Sequence, residues 1–123
     1  MSGYIEVMGL DELSDGEMVS VEVDGDRVLL ARIGIDVYAA DALCPHLHGR
    51  LDKGTLEGTI VTCPRHGSQF DLTDGSVVRW TDFGGVVKSV AEIVRHPRPL
   101  RVYETLVEDG KVFVGAEKEP PRG

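Results

Sequence analysis

A chain of 123 residues has room for one domain that buries roughly two thirds of its unfolded surface, and no room for a second, catalytic domain beside it. Its 13 basic and 21 acidic side chains give a net charge of -8, which repels nucleic-acid phosphates and anionic lipid heads, so neither a nucleic acid nor a membrane is an expected partner. The longest apolar stretch, Val28 to Ile35, is broken by Arg32 and falls far short of the ~20 residues that span a bilayer.

Met1 to Leu13 carries Glu6, Asp11 and Glu12 and lacks a basic start followed by an apolar run, so it does not read as a secretory signal, and a soluble cytoplasmic protein is expected. Val19, Val21 and Val23 alternate with Ser20, Glu22 and Asp24, the period of a strand with one buried face. Asp24-Gly25 reads as a turn. Arg27 to Ile33 is a near-continuous apolar run, and Val37 to Ala40 follows the Gly34 break, so these segments predict an antiparallel meander within the first 42 residues. Leu43 to about Gly75 differs in kind: it holds Cys44, His46, His48, Gly49, Gly54, Gly58, Cys63, His66, Gly67 and Gly75, a composition suited to tight loops around a site. Thr59 to Thr62 and Gln69 to Leu72 are candidate short strands carrying those loops. Val86, Val87, Val90, Ile93 and Val94 fit helical spacing, with Ser89 and Glu92 resembling a capping box, although so dense a β-branched run also suits a strand. Leu100 to Val107, Asp109-Gly110 and Lys111 to Val114 predict a closing hairpin. Residues 117–123, with Pro120-Pro121, predict a disordered tail.

Cys44-Pro45-His46 and Cys63-Pro64-Arg65-His66 each offer one thiolate and one imidazole, separated by residues 47–62. Two cysteines in such loops, in an intracellular protein, point to a metal before a disulfide. A [2Fe–2S] core with cysteine on one iron and histidine on the other needs two clasping loops that each supply one ligand per iron. Glycines at 49 and 67 allow the loops to approach it closely. A structural zinc site uses the same ligand types, but zinc fingers usually pair Cys with Cys and His with His along the chain, whereas here each loop mixes them. A metal-free copy of the same loops is the remaining alternative. His48 would give a Cys-x3-His spacing if it replaced His46, which gives Cys-x-His.

The stretches Cys44-Pro45-His46-Leu47-His48-Gly49-Arg50-Leu51 and Cys63-Pro64-Arg65-His66-Gly67-Ser68-Gln69-Phe70-Asp71, ending at Gly75, resemble the two boxes of Rieske ferredoxins, and the likeness covers most of residues 3–116. It implies an all-β fold: an antiparallel β-sandwich, residues 1–42 and 81–116, with a small cluster-binding subdomain inserted at about 43–80. It also implies Cys44, His46, Cys63 and His66 as ligands of a [2Fe–2S] cluster, with the Ser68 hydroxyl hydrogen-bonded to a bridging sulfide. The family commonly has a small residue where His48 stands, and His96-Pro97-Arg98-Pro99 resembles its proline-containing loop over the cluster; an ordinary connecting turn is the plainer reading of that segment. Phe70 replaces the tyrosine of high-potential Rieske proteins, and Gly49 and Arg65 stand where those proteins carry a disulfide, so the resemblance is to the ferredoxin type, with a potential in the lower half of the roughly -150 to +300 mV Rieske span.

The implied role is that of an electron carrier rather than an enzyme, passing single electrons from a reductase to a Rieske-type dioxygenase or another oxygenase. The alternative is a small Rieske subunit of a larger reductase such as nitrite reductase. Trp80 and Phe83, around Asp82, suggest a docking surface for a redox partner, against the simpler expectation that Trp80 packs on the basal sheet.

Overall fold

The computed structural model of the protein describes residues 3–44, 49–64, 67–79 and 99–118. Within them lie ten strands: β1 (Ile5–Gly9), β2 (Met18–Val23), β3 (Asp26–Ile33), β4 (Asp36–Asp41), β5 (Thr55–Glu57), β6 (Ile60–Thr62), β7 (Gln69–Asp71), β8 (Val77–Arg79), β9 (Val102–Glu108) and β10 (Lys111–Glu117). There is no α-helix among the described residues, only short 3₁₀ turns at Leu10–Glu12 and Leu51–Lys53. The segment 86–94, expected to be helical, lies outside them, as do Trp80, Phe83 and His96.

Asp24-Gly25 and Asp109-Gly110 both turn with positive φ at each residue, 51° and 87° in the first and 54° and 72° in the second. That left-handed pair matches the twist of antiparallel strands, so each turn folds a tight hairpin, β2–β3 and β9–β10. The hairpins join one antiparallel sheet in the order β1-β10-β9-β4-β3-β2, and β5-β6-β7-β8 form a second.

The apolar run of β3 is explained by burial on both faces. Val28 and Leu30 join Leu13, Val37, Ala39, Val112 and Val114 in a core on one face of the six-stranded sheet. Leu29 and Ala31 point the other way, into a core shared with Leu51, Val61, Phe70 and Leu72 of the second-sheet region. A strand with one wet face alternates; one covered on both sides reads as continuous hydrophobicity. The alternation survives in β2, which lies at the edge of the sheet, where Val19, Val21 and Val23 are only partly buried.

Two departures from the expected elements have clear causes. β1 pairs with β10, a partner more than a hundred residues away, and its register slips between Glu6 and Met8. β10 runs on to Glu117, which pairs with Tyr103, and the Lys118 N–H donates to the Val102 carbonyl at 2.8 Å, so the expected tail does not begin at Glu117. Pairing with β9 is joined there by ion pairs of Glu117 with Arg101 (4.0 Å) and of Lys118 with Glu104 (3.9 Å).

Half-buried Arg32 closes the near end of the sheet, donating to the carbonyls of Leu13 (2.8 Å), Gly34 (2.9 Å) and Leu10 (3.2 Å). At the far end, Asp41 is held on both carboxylate oxygens by β9 and the residue before it. Arg101 Nε lies 2.7 Å from Oδ2 and the Tyr103 hydroxyl 2.5 Å from Oδ1. Burial, together with that bond and the carboxylate's charge, pushes the Tyr103 phenol above its ordinary value. Folding therefore tightens the hold on this proton. The stability it contributes is complete below the unfolded value of about 10 and drains away as pH rises beyond it. In urea titrations from neutral pH to above pH 10, Tyr103→Phe is expected to lose less stability with pH than wild type; parallel losses would count against the linkage.

Candidate metal centre

The two cysteine boxes fold as two loops closed in the same way. Leu43 and Arg50 form an antiparallel bridge beyond the end of β4, the Leu51 N–H donates to the Ala42 carbonyl (2.9 Å), and the Cys44 N–H donates to the Gly49 carbonyl (2.8 Å). In the second loop Thr62 of β6 faces Gln69 of β7, and the Cys63 N–H donates to the Ser68 carbonyl (2.8 Å). In each case the cysteine N–H bonds the carbonyl five residues on. Each box therefore presents its cysteine at the same corner of an equivalent loop.

Both cysteines are buried, Cys44 at 1% and Cys63 at 3% exposure, and neither is in a disulfide. They belong to a single apolar cluster with Leu51, Val61, Phe70, Leu72 and Leu29. His46, His48, Arg65 and His66 lie outside the described residues, and among the described residues no group of three or more His, Cys, Asp or Glu is gathered to hold a metal. Ser68 is the one fully buried polar residue in the described part of the chain, at 0% exposure. It lies in the second loop, five positions after Cys63.

Neighbouring polar contacts brace the loops. Arg50 grips the nearly buried Asp52 carboxylate through Nη2 (2.8 Å) and Nε (3.2 Å) as the first loop ends. The Gln69 amide donates to the Thr62 hydroxyl at 3.2 Å, tying the two strands at the base of the second. Burial would push the Asp71 carboxyl up, but hydrogen bonds from the Thr73 N–H, the Thr73 hydroxyl and the Thr59 hydroxyl outweigh it and hold the group below the usual carboxylate value.

Two glycines that composition marks only as loop residues are decided by neighbours. A Cβ on Gly54 would stand 1.9 Å from the Thr62 carbonyl oxygen. One on Gly75 would stand 2.0 Å from that of Leu100, where the Leu100 N–H donates to the Gly75 carbonyl as the chain re-enters the sheet (2.8 Å). No local pattern distinguishes such glycines from turn glycines, because the colliding atom belongs to a distant segment.

The sequence model of the Rieske [2Fe-2S] domain matches residues 3–104. The chain belongs to the Rieske [2Fe-2S] domain family. A [2Fe–2S] cluster is accordingly its cofactor, and two buried thiols free of any disulfide at matching loop corners fit the cysteine half of that cluster's ligation. The ferredoxin component of the naphthalene 1,2-dioxygenase/salicylate 5-hydroxylase systems of Ralstonia sp is 35% identical over 75 residues, 61% of this chain and 72% of that one. The ferredoxin of carbazole 1,9a-dioxygenase from Nocardioides aromaticivorans IC177 superimposes with a TM-score of 0.77 at 28% identity, covering 94% of this Rieske chain and 99% of its own. A complex of reduced oxygenase and oxidized ferredoxin in carbazole 1,9a-dioxygenase contains a chain matched at TM-score 0.76 and 25% identity, over 98% of this chain and all of that one. The expected all-β fold, with a large antiparallel sheet and a smaller second one, is the fold found.

Proposed function

We propose that this chain is a soluble, cytoplasmic one-electron carrier, a Rieske ferredoxin that takes electrons from a reductase and delivers them to a terminal oxygenase. The observation that carries the reading is the pair of loops closed by the same Cys N–H bond, each opening on a buried cysteine within one apolar cluster. The likeness to a ferredoxin of carbazole 1,9a-dioxygenase over 94% of the chain supports it, with that to a naphthalene dioxygenase-system ferredoxin over 61%.

In this reading Cys44 and Cys63 hold one iron, and His46 and His66 hold the other. When bound, the cluster supplies one-electron chemistry at a potential that its surroundings set. The chain's own contribution is to keep the two cysteine side chains buried in an apolar cluster. No helix among the described residues is long and apolar enough to cross a membrane.

The purified protein should contain iron and acid-labile sulfide in equal amounts, take up one electron per chain from dithionite, and pass it to an oxidised Rieske-type terminal oxygenase in stopped flow. Zinc in place of iron, or a reduced form inert towards oxygenases, would sink the proposal. Isolation from the native host in fixed proportion to a large reductase subunit would instead favour the subunit role.

Ser68 gives a second handle. In this reading its hydroxyl would donate a hydrogen bond to the cluster's sulfur, which would favour the more negative, reduced state. Ser68→Ala keeps the backbone carbonyl that Cys63 uses. The variant should retain its cluster but show a midpoint lower by something on the order of 60 mV, the equivalent of a tenfold preference for one electron. An unchanged potential in protein-film voltammetry would remove the hydroxyl from that role.

A further inference from the structure

We propose that Gly54 is a positioning residue for the metal centre, setting how closely the loop that opens at Cys44 lies to the loop that opens at Cys63. The inference rests on the assignment of those two cysteines as ligands.

The route between the loops is short and passes through this residue. The first loop ends in the 3₁₀ turn Leu51–Lys53, whose Leu51 is fully buried, and the Gly54 N–H donates back to the Leu51 carbonyl at 3.0 Å. Gly54 then leads directly into β5, where Thr55 pairs with Thr62, the residue before Cys63. A Cβ at position 54 would lie 1.9 Å from the Thr62 carbonyl oxygen and 3.1 Å from Cδ of Pro64, so its neighbours flank Cys63 on both sides.

Gly54 is not in the left-handed region that favours glycine, its φ being -87°. The contact is what demands glycine. Carbon-to-oxygen contacts settle at about 3.3 Å, so a methyl group would drive the two segments apart by roughly 1.4 Å. A functional constellation tolerates about 0.5 Å. Neither side can yield easily: Thr62 is fixed in the middle of the second sheet between Thr55 and Gln69, and Gly54 is tied to buried Leu51. The strain therefore falls on the spacing of the loops.

The test compares wild type, Gly54→Ala and Gly115→Ala, all loaded with cluster. Gly115 lies in β10 of the six-stranded sheet, and the three heavy atoms nearest a Cβ there all belong to the Tyr4 ring, the nearest at 2.7 Å. Gly54→Ala is expected to change the g-values of the reduced protein's electron paramagnetic resonance signal and to release iron to a chelator about tenfold faster. Amide-exchange protection of the six-stranded sheet should stay as in wild type. Complete loss of the cluster with that sheet intact would support the proposal equally. Gly115→Ala should leave the g-values and the release rate unchanged. Wild-type g-values and release in Gly54→Ala would overturn the proposal, as would collapse of both sheets together or the same spectral change in Gly115→Ala. Wild-type protein that binds no iron would remove the ligand assignment and this proposal with it, whereas iron-loaded wild type beside an unaltered Gly54→Ala removes this proposal alone.

Discussion

Cys44→Ser, Cys63→Ser, His46→Ala and His66→Ala are each expected to abolish the visible absorption of the cluster and reduce bound iron to background, while His48→Ala leaves both intact. In the proposed ligation each loop contributes one thiolate and one imidazole, and a [2Fe–2S] core that loses any of these four ligands loses a bond that holds one of its irons. The spacing of Cys44 and His46, with one residue between them, is what favours His46 over His48 in the proposed ligand set. For the cysteines, burial sharpens the effect. At 1% and 3% exposure, a serine hydroxyl in either place sits in an apolar cluster and is a poorer ligand for iron than a thiolate. Because ligand binding and folding are linked, each of the four cluster-free variants should also melt at a lower temperature than the loaded wild type. Iron analysis and absorption spectroscopy on the five proteins decide the matter, and a bleached His48→Ala beside a normal His46→Ala would reverse the assignment.

Phe70→Ala should cost about 3–5 kcal/mol, the range for emptying a fully buried aromatic site. Phe70 is completely buried in β7, opposite Val61 of β6 and Val77 of β8. Its cluster contains Leu29, Ala31 and Ala40 from the large sheet and both cysteines from the loops, so a cavity there loosens the seat of the metal as well as the seam between the sheets. Urea unfolding of the loaded protein measures the cost. Phe70→Leu, which leaves a smaller void, should cost clearly less; a Phe70→Ala penalty below about 1 kcal/mol would mean that the region repacks freely.

The cysteine boxes were legible in the sequence because their signals are local, and the fold buries both cysteines behind the same backbone bond, while the histidines lie outside the described residues. Cys-x-His and Cys-x2-His depend only on ligand chemistry and loop length, and the Asp-Gly pairs specify hairpin turns through the positive φ that the folded chain adopts at both. β6 and β7 fall within the segments expected, each one residue shorter: Thr59 and Leu72 meet just beyond the ladder through a 2.8 Å bond instead of belonging to it. β1, β5 and β8 were not anticipated. β5 and β8 have only three residues each, too few for periodicity to register, and β1 gains its place from β10 at the other end of the sequence.

The residues alone determined the two hairpin turns and the family resemblance, and offered two Cys/His pairs as ligands, because each depends on chemistry within a few positions of the chain. The tertiary structure decided the rest. β3 is apolar throughout because two different cores meet on its two faces. Asp41 is held by Arg101 and Tyr103 because β4 and β9 lie side by side. Gly54 and Gly75 admit no side chain because carbonyls of Thr62 and Leu100 occupy the space it would need. These constraints come from atoms brought together only when the sheets pack, and a close contact between distant segments leaves no periodic trace in the order of the residues that make it.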